Sequence, residues 1–386
     1  MRFEFATATR ILFGAGALNE VPALARAFGR RVLMVLGSRQ DFVSRTIDRL
    51  REHELEVDTF TVEGEPKITT ALDGVHRARS IRAEVIIGLG GGSALDTGKA
   101  ISALLTNPGD PLDHLEVIGR GQALKNQAAP YIAIPTTAGT GSEVTRNAVL
   151  ASPDHKVKVS LRSPLMLPRL AVIDPELTYS LPPSITASTG LDALTQLIEP
   201  YTCNAPNPLV DAICREGMTR AARSLRRAYH HGDDVTARED MSIAALFGGL
   251  ALANAKLGAV HGFAGPIGGL FAERAPHGAI CARLLPFVIE ANIKALRSRA
   301  PDAPVLARYA EVAQIVTGTS TAGPEDAIGW LHDLCADLNV PALSQYGITT
   351  ADFPVIVAQA QQASSMKGNP VALTSEELGE ILRQAI

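Results

Sequence analysis

The sequence predicts an α/β domain built on a parallel sheet, followed by an all-α domain, and three observations carry that prediction. Short β-branched apolar runs alternate with helical stretches up to about residue 178; the strand signals fade beyond Ser180-Leu181-Pro182-Pro183; and long Ala/Leu-rich windows then take over. The apolar runs are Arg31–Leu36, Glu84–Leu89, Tyr131–Pro135 and Leu170–Asp174. Strands alternating with helices imply a parallel sheet covered on both faces, because parallel neighbours are joined by crossovers. The helical windows are Ala187–Cys203, Leu209–Ala228, Thr236–Ala253 and Ala279–Ser298. Paired prolines at 182 and 183 stop the last strand and suit a helix start, which sets the division at residues 1–180 and 181–386. No internal repeat or low-complexity linker separates the halves, so they are expected to pack directly and leave a ligand cleft.

The chain has 386 residues, 46% of them hydrophobic and 20% charged, which excludes a disordered or fibrous protein and matches two ordinary domains. Lys and Arg number 36 against 40 Asp and Glu, a formal net charge of -4 without runs of one sign. That balance argues against nucleic acid or an anionic membrane as partner and points to a small molecule. Cys203, Cys214, Cys281 and Cys335 lie far apart, without a Cys-x-x-Cys pair, as suits a reduced cytoplasm. An acid stands in the N-terminal segment where a signal peptide is apolar, and no run of 18 apolar residues occurs, so neither export nor a membrane span is expected.

Directly after the run 84–89 comes Gly90-Gly91-Gly92-Ser93-Ala94-Leu95-Asp96-Thr97-Gly98-Lys99, which leads into a helical stretch. Strand, glycines and helix start form a cradle for phosphate: glycines allow close backbone approach, and the unpaired N–H groups of a helix N-terminus favour an anion. Ser93 and Lys99 are expected to assist. The spacing is neither that of the Rossmann fingerprint nor that of the Walker loop. A second cluster, Pro135-Thr136-Thr137-Ala138-Gly139-Thr140-Gly141-Ser142-Glu143, follows another buried run. At the carboxyl ends of two parallel strands the clusters converge on one crevice, suited to a dinucleotide diphosphate and its ribose.

In the helical half, Asp192 and Gln196 stand four apart on one helix face, and His261 and His277 follow in Gly258-Ala259-Val260-His261-Gly262 and Arg274-Ala275-Pro276-His277-Gly278. One carboxylate and two imidazoles suit iron(II) or zinc, with Gln196 adding a neutral carbonyl oxygen. Spacing alone does not bring them together. The other histidines sit in polar surroundings and are read as surface or capping residues.

Taken together these residues resemble the iron-containing, or group III, alcohol dehydrogenase superfamily over nearly the whole chain. The landmarks are Arg10-Ile11-Leu12-Phe13-Gly14-Ala15-Gly16, expected at a first hairpin, the stretch 90–99, Thr106-Asn107-Pro108-Gly109-Asp110, the stretch 135–143, Asp174-Pro175-Glu176, and Gly190-Leu191-Asp192-Ala193-Leu194. The resemblance implies a dehydroquinate synthase-like architecture: a Rossmann-like nucleotide domain followed by a helical domain that binds metal and substrate. It implies that Ser38, Gly91, Gly92, Ser93, Asp96, Thr136, Thr137, Thr140 and Lys158 contact NAD or NADP, and that Asp192, Gln196, His261 and His277 hold the metal, the two histidines being catalytic. Two positions depart from the family pattern, which has His where this chain has Gln196 and often another His where it has Gly265. The second is associated with proton delivery. Arg39, at the end of the second strand where NAD-preferring members often carry an acid, permits a 2′-phosphate.

The implied activity is metal-assisted hydride transfer between nicotinamide and a small alcohol or carbonyl compound, by a cytoplasmic homo-oligomer, most simply a dimer. The ion polarises the carbonyl oxygen, and water or a ribose hydroxyl carries the proton. Three competitors are a metal-independent reductase of the maleylacetate kind, a synthase of the dehydroquinate kind, and a nucleotide-binding protein without catalysis.

Overall fold

In the computed structural model residues 2–37, 42–155, 157–271 and 274–386 are described. Ser38 and Arg39 lie outside them. Contacts divide the chain into an α/β unit, residues 6–137 and 141–178, and a helical unit that runs from Tyr179 to Ile386 and also takes in the segment ending at Phe5 and Ala138–Thr140. Contacts thus group two segments from before residue 180 with the helices. Phe5 and Ala138 pack on the apolar core of the helices, and Gly139 approaches Thr189 so closely that an added Cβ would lie 2.6 Å from Thr189 Cβ.

The strands are β1 (Ile11–Phe13), β2 (Arg31–Leu36), β3 (Glu56–Thr61), β4 (Val85–Gly90), β5 (Tyr131–Pro135), β6 (Asn147–Ser152), β7 (Val157–Arg162) and β8 (Leu170–Ile173). With them go helices α1 (Val21–Arg26), α2 (Phe42–Glu52), α3 (Ile68–Ser80) and α4 (Gly92–Thr106). Six strands form one sheet in the order β1-β8-β5-β4-β2-β3, every neighbour parallel. β6 and β7 pair antiparallel on their own. Among the described residues no hairpin forms at Arg10–Gly16; β1 pairs parallel with β8 instead. The segment after it folds back on Asp174, whose carboxylate accepts from the N–H groups of Gly16 (3.2 Å) and Leu18 (3.0 Å).

Both faces of the sheet are covered, as a parallel sheet requires. Alternate residues go to opposite sides: Leu33, Val35, Ile86, Tyr131 and Ala133 join one core cluster, and Val32, Met34, Val85, Ile87, Ile132 and Ile134 the other. Tyr131 fills the space left by two glycines. Its hydroxyl donates to Leu95 O at 2.8 Å, and a Cβ at Gly88 or Gly98 would lie 2.3 or 3.0 Å from its ring and hydroxyl. The winding reverses between β2 and β4, the point at which open α/β sheets bind ligands. There Gly37 and Gly90 nearly touch, for a Cβ on Gly90 would sit 2.9 Å from Gly37 N.

The helical unit comprises α5 (Pro183–Thr202), α6 (Pro208–His230), α7 (Val235–Asn254), α8 (Ala259–Leu270), α9 (His277–Arg299), α10 (Val305–Thr317), α11 (Pro324–Asp337), α12 (Phe353–Gln362) and α13 (Ser375–Ala385). From Gly190 to Thr202, α5 is buried on every side, packed among α6, α7, α9 and α10. A helix in that position should be apolar all round. Instead Asp192, Thr195, Gln196 and Glu199 make a buried polar stripe along it, at helical spacing. Among the described residues no single helix is long and apolar enough to cross a membrane.

In the α/β unit the expected helper Lys99 is turned inward and fully buried. Its ammonium donates to Ser142 O (2.6 Å), Ser142 Oγ (3.0 Å), Thr145 Oγ1 (2.9 Å) and Asn147 O (2.8 Å). Four acceptors saturate three protons, so Lys99 clamps the loop before β6 onto α4 and is not a phosphate ligand. Burial pushes the neighbouring Glu143 carboxyl up to about 7, against the pull of its own backbone N–H and of Lys99. The folded value lies above the ordinary 4.5, so this group's contribution to stability is full below about pH 4.5 and is lost as the pH rises through about 7. Glu143→Gln should flatten the pH dependence of the unfolding free energy across that window, by roughly 3 kcal/mol at most. Urea melts from pH 4.5 to 8 measure it, and an unchanged slope in the variant would refute the assignment.

Candidate active site

Three elements bring the predicted ligands together. α5 supplies Asp192, α8 supplies His261 near its start, and α9 supplies His277 at its first position. Asp192 Oδ1 lies 3.6 Å from His261 Nε2 and 3.8 Å from His277 Nε2. Asp192 Oδ1 and His261 Nε2 are buried and have no hydrogen-bond partner among the described residues.

Glycines set the approach of both histidine-bearing helices. Gly278, next to His277, lets α9 press on the backbone of α5; a Cβ there would lie 2.6 Å from Ser188 O. Gly258 does the same for α8, where a Cβ would lie 2.8 Å from Glu199 Oε1. Glu199 is the residue beside the cluster that sequence reasoning missed. Its Oε1 accepts from the Val260 N–H at 2.7 Å, at the positive end of α8, and its Oε2 takes the ring Nδ1 of His261 at 2.6 Å. With Nδ1 committed to Glu199, the ring turns Nε2 towards Asp192, where a cation can displace the second proton and take the lone pair. The signal was present, because an acid seven residues after Asp192 lies on the same helix face.

The electrostatics favour a cation. Burial alone would lower the His261 pKa, but the carboxylates of Glu199 and Asp192 outweigh it and raise it to about 10. Burial pushes the Asp192 carboxyl up, and the neighbouring His277 and His261 more than compensate, holding it below its ordinary value. A pocket that retains a proton so strongly is one in which positive charge is stabilised.

The other candidates are placed as follows. Gln196 lies on the polar stripe, 2% exposed, with its Oε1 lacking a hydrogen-bond partner among the described residues and lying 3.2 Å from where a Cβ on Gly248 would be. Gly265 faces open space. In the α/β unit β4 and β5 are neighbours, so their glycine clusters meet: Gly91, the residue before α4, lies beside Thr137, with a Cβ there 3.5 Å from Thr137 Cγ2. Gly92 and Ser93 form the first turn of α4, which has no side-chain cap. Thr136 is buried and its N–H donates to Gly90 O at 3.0 Å. Asp96 is occupied internally, accepting from Ser142 Oγ (2.5 Å) and Val149 N–H (3.0 Å). Lys158 is paired with Glu65 at 2.9 Å. Thr140 belongs to the helical unit, and Ser38 lies outside the described residues.

Residues 8–175 match the family model described as iron-containing alcohol dehydrogenase, and residues 186–386 match that of the Fe-containing alcohol dehydrogenase family, C-terminal. The chain belongs to the iron-containing alcohol dehydrogenase family. It is an oxidoreductase acting on CH–OH groups, in a family that implies a nicotinamide nucleotide and a divalent metal. Alcohol dehydrogenase 4 of Saccharomyces cerevisiae is 35% identical over 97% of this chain and 96% of its own. The crystal structure of a 1,3-propanediol oxidoreductase is 34% identical, with a TM-score of 0.91 and 100% of both chains covered. A sulfoacetaldehyde reductase from Bifidobacterium kashiwanohense, solved in complex with NAD+, is 28% identical with a TM-score of 0.86, covering 100% of this chain and 99% of that one.

The two glycines of the site give a direct contrast. Gly278→Ala should cost about 1–3 kcal/mol, because the methyl group meets backbone that cannot move aside. Gly265→Ala, in open space within α8, should be neutral or stabilising by up to about 1 kcal/mol. Denaturant melts of the two variants check this, and equal stabilities would contradict the packing described.

Proposed function

We propose that the chain is an NAD(P)-dependent alcohol dehydrogenase, acting in reverse as an aldehyde or ketone reductase, with zinc or iron(II) held by Asp192, His261 and His277. The observation that carries the metal is that Asp192 Oδ1 and His261 Nε2 are buried without a hydrogen-bond partner among the described residues and face each other at 3.6 Å, too far for a hydrogen bond, with His277 Nε2 beside them. A buried polar atom without a partner costs about 1–3 kcal/mol, and two of them facing each other call for a ligand. A carboxylate with two imidazoles fits a divalent transition ion. When bound, the ion acts as a Lewis acid towards the substrate oxygen and stabilises alkoxide charge.

The chain's own residues do the rest. Glu199 fixes the His261 tautomer and ring, and Gly278 seats His277. Gln196 adds a neutral amide oxygen from the same stripe of α5. Gly91, Gly92 and Ser93 offer backbone N–H groups and a hydroxyl to the nucleotide diphosphate, with Thr136, Thr137 and Thr140 along the cofactor. The NAD+ complex of the sulfoacetaldehyde reductase supports this reading. Asp96 and Lys158 are both engaged in internal pairs. At Gly265 no side chain relays the proton, which leaves water or a ribose hydroxyl.

Stripping the metal with a chelator should lower NAD(P)H oxidation with small aldehydes and ketones at least about a hundredfold, and added zinc or iron(II) should restore it. Full activity in the stripped protein would favour the metal-independent reductase. In the same preparation Gly91→Val should weaken NADH and NADPH binding by calorimetry while the fold persists, since a Cβ at Gly91 makes only ordinary contacts. Undiminished binding would move the cradle elsewhere.

A further inference from the structure

One residue outside the predicted set shares the cluster. Cys281 stands one turn after His277 on α9, is fully buried, and its Sγ lies 3.7 Å from His277 Nε2. One donor atom from each of Asp192, His261, His277 and Cys281 can be chosen so that all four lie within 4.8 Å of one another. Bonds of about 2.0–2.3 Å at the tetrahedral angle set donor pairs roughly 3.3–3.6 Å apart. The separations of 3.6, 3.7 and 3.8 Å stand a few tenths of an ångström from that arrangement. Asp192 Oδ1 and His261 Nε2, on side chains more than nine-tenths buried, have no hydrogen-bond partner among the described residues and point independently to a ligand at this place.

We propose that Cys281 is a protein ligand to the ion, its thiolate joining Asp192, His261 and His277 in a set that prefers zinc or cobalt(II) over magnesium and manganese. The proposal rests on the metal reading above and changes its chemistry. An amide oxygen such as that of Gln196 is a hard, neutral, weak donor; a thiolate is soft and favours zinc and its neighbours. The i, i+4 spacing on α9 places Cys281 and His277 on one helix face, so a single rigid element presents both. On binding, the Sγ–H proton leaves to solvent and a sulfur lone pair forms the bond to the ion, with no change of oxidation state.

Cobalt(II) titration of the stripped protein, followed by absorption, is the test. The wild-type protein should develop a thiolate-to-cobalt charge-transfer band in the near ultraviolet, and Gln196→Ala should keep it. Cys281→Ser and Cys281→Ala should lose the band while still binding cobalt, about ten- to a hundredfold more weakly, with melting curves that confirm a folded protein. A wild-type complex without the band, or a band that survives in folded Cys281→Ser, overturns the proposal and leaves the three-ligand reading standing. Failure of the wild-type protein to bind cobalt at all overturns both.

Discussion

The helical unit is organised around a conflict inside α5. A helix enclosed by α6, α7, α9 and α10 should be apolar throughout, yet it carries Asp192, Thr195, Gln196 and Glu199 in one buried row. Two of the four are satisfied within the protein: Thr195 Oγ1 donates to Leu191 O at 2.7 Å, and Glu199 accepts from Val260 N–H and pairs with the His261 ring. Asp192 Oδ1 is left without a partner among the described residues, facing His261 Nε2. The approach of α8 and α9, permitted by Gly258 and Gly278, converts that deficit into a pocket that stabilises positive charge. Packing and chemistry are thus one constraint here: whatever moves α9 away from Ser188 also opens the site.

The α/β unit meets the opposite demand under the proposed function, where the N-terminus of α4 has to stay open to an anion while the loops around it stay fixed. The buried charge that fixes them is Lys99, which ties α4 to the loop before β6 through Ser142, Thr145 and Asn147. Asp96, one turn before it, accepts from the same Ser142. With these groups spent on one another, the N-terminus of α4 keeps its own N–H groups uncapped by side chains. Rigidity comes from side chains facing inward, and the proposed recognition is left to the backbone.

Much of this was legible in the sequence. β2 and β5 fall on the predicted runs, and α5, α6, α7 and α9 on the predicted windows, because continuous apolar strands and long helices leave strong periodic signals. β3 was missed because half-exposed strands carry a weak apolar pattern, and α8 because Gly262, Gly265, Gly268, Gly269 and Pro266 read as loop. Tertiary burial overrides that propensity: Val260, Phe263, Ala264 and Ile267 lock α8 into the core. Asp192, His261 and His277, singled out from the sequence, come together in the structure; Glu199 and Cys281, which join them, were not singled out, since their closeness arises from helices meeting in space. Lys99 was misassigned for the same reason, as the sequence shows a lysine beside glycines and not which way it turns.

The proposed chemistry requires an ion lying between Asp192, His261 and His277. Anomalous diffraction at the zinc edge, from crystals of zinc-loaded protein, tests it most directly. A single strong peak within bonding distance of Asp192 Oδ1, His261 Nε2 and His277 Nε2 is the predicted result. Zinc-loaded crystals in which those three side chains bond only to one another or to water, with the anomalous peak elsewhere or absent, would contradict it.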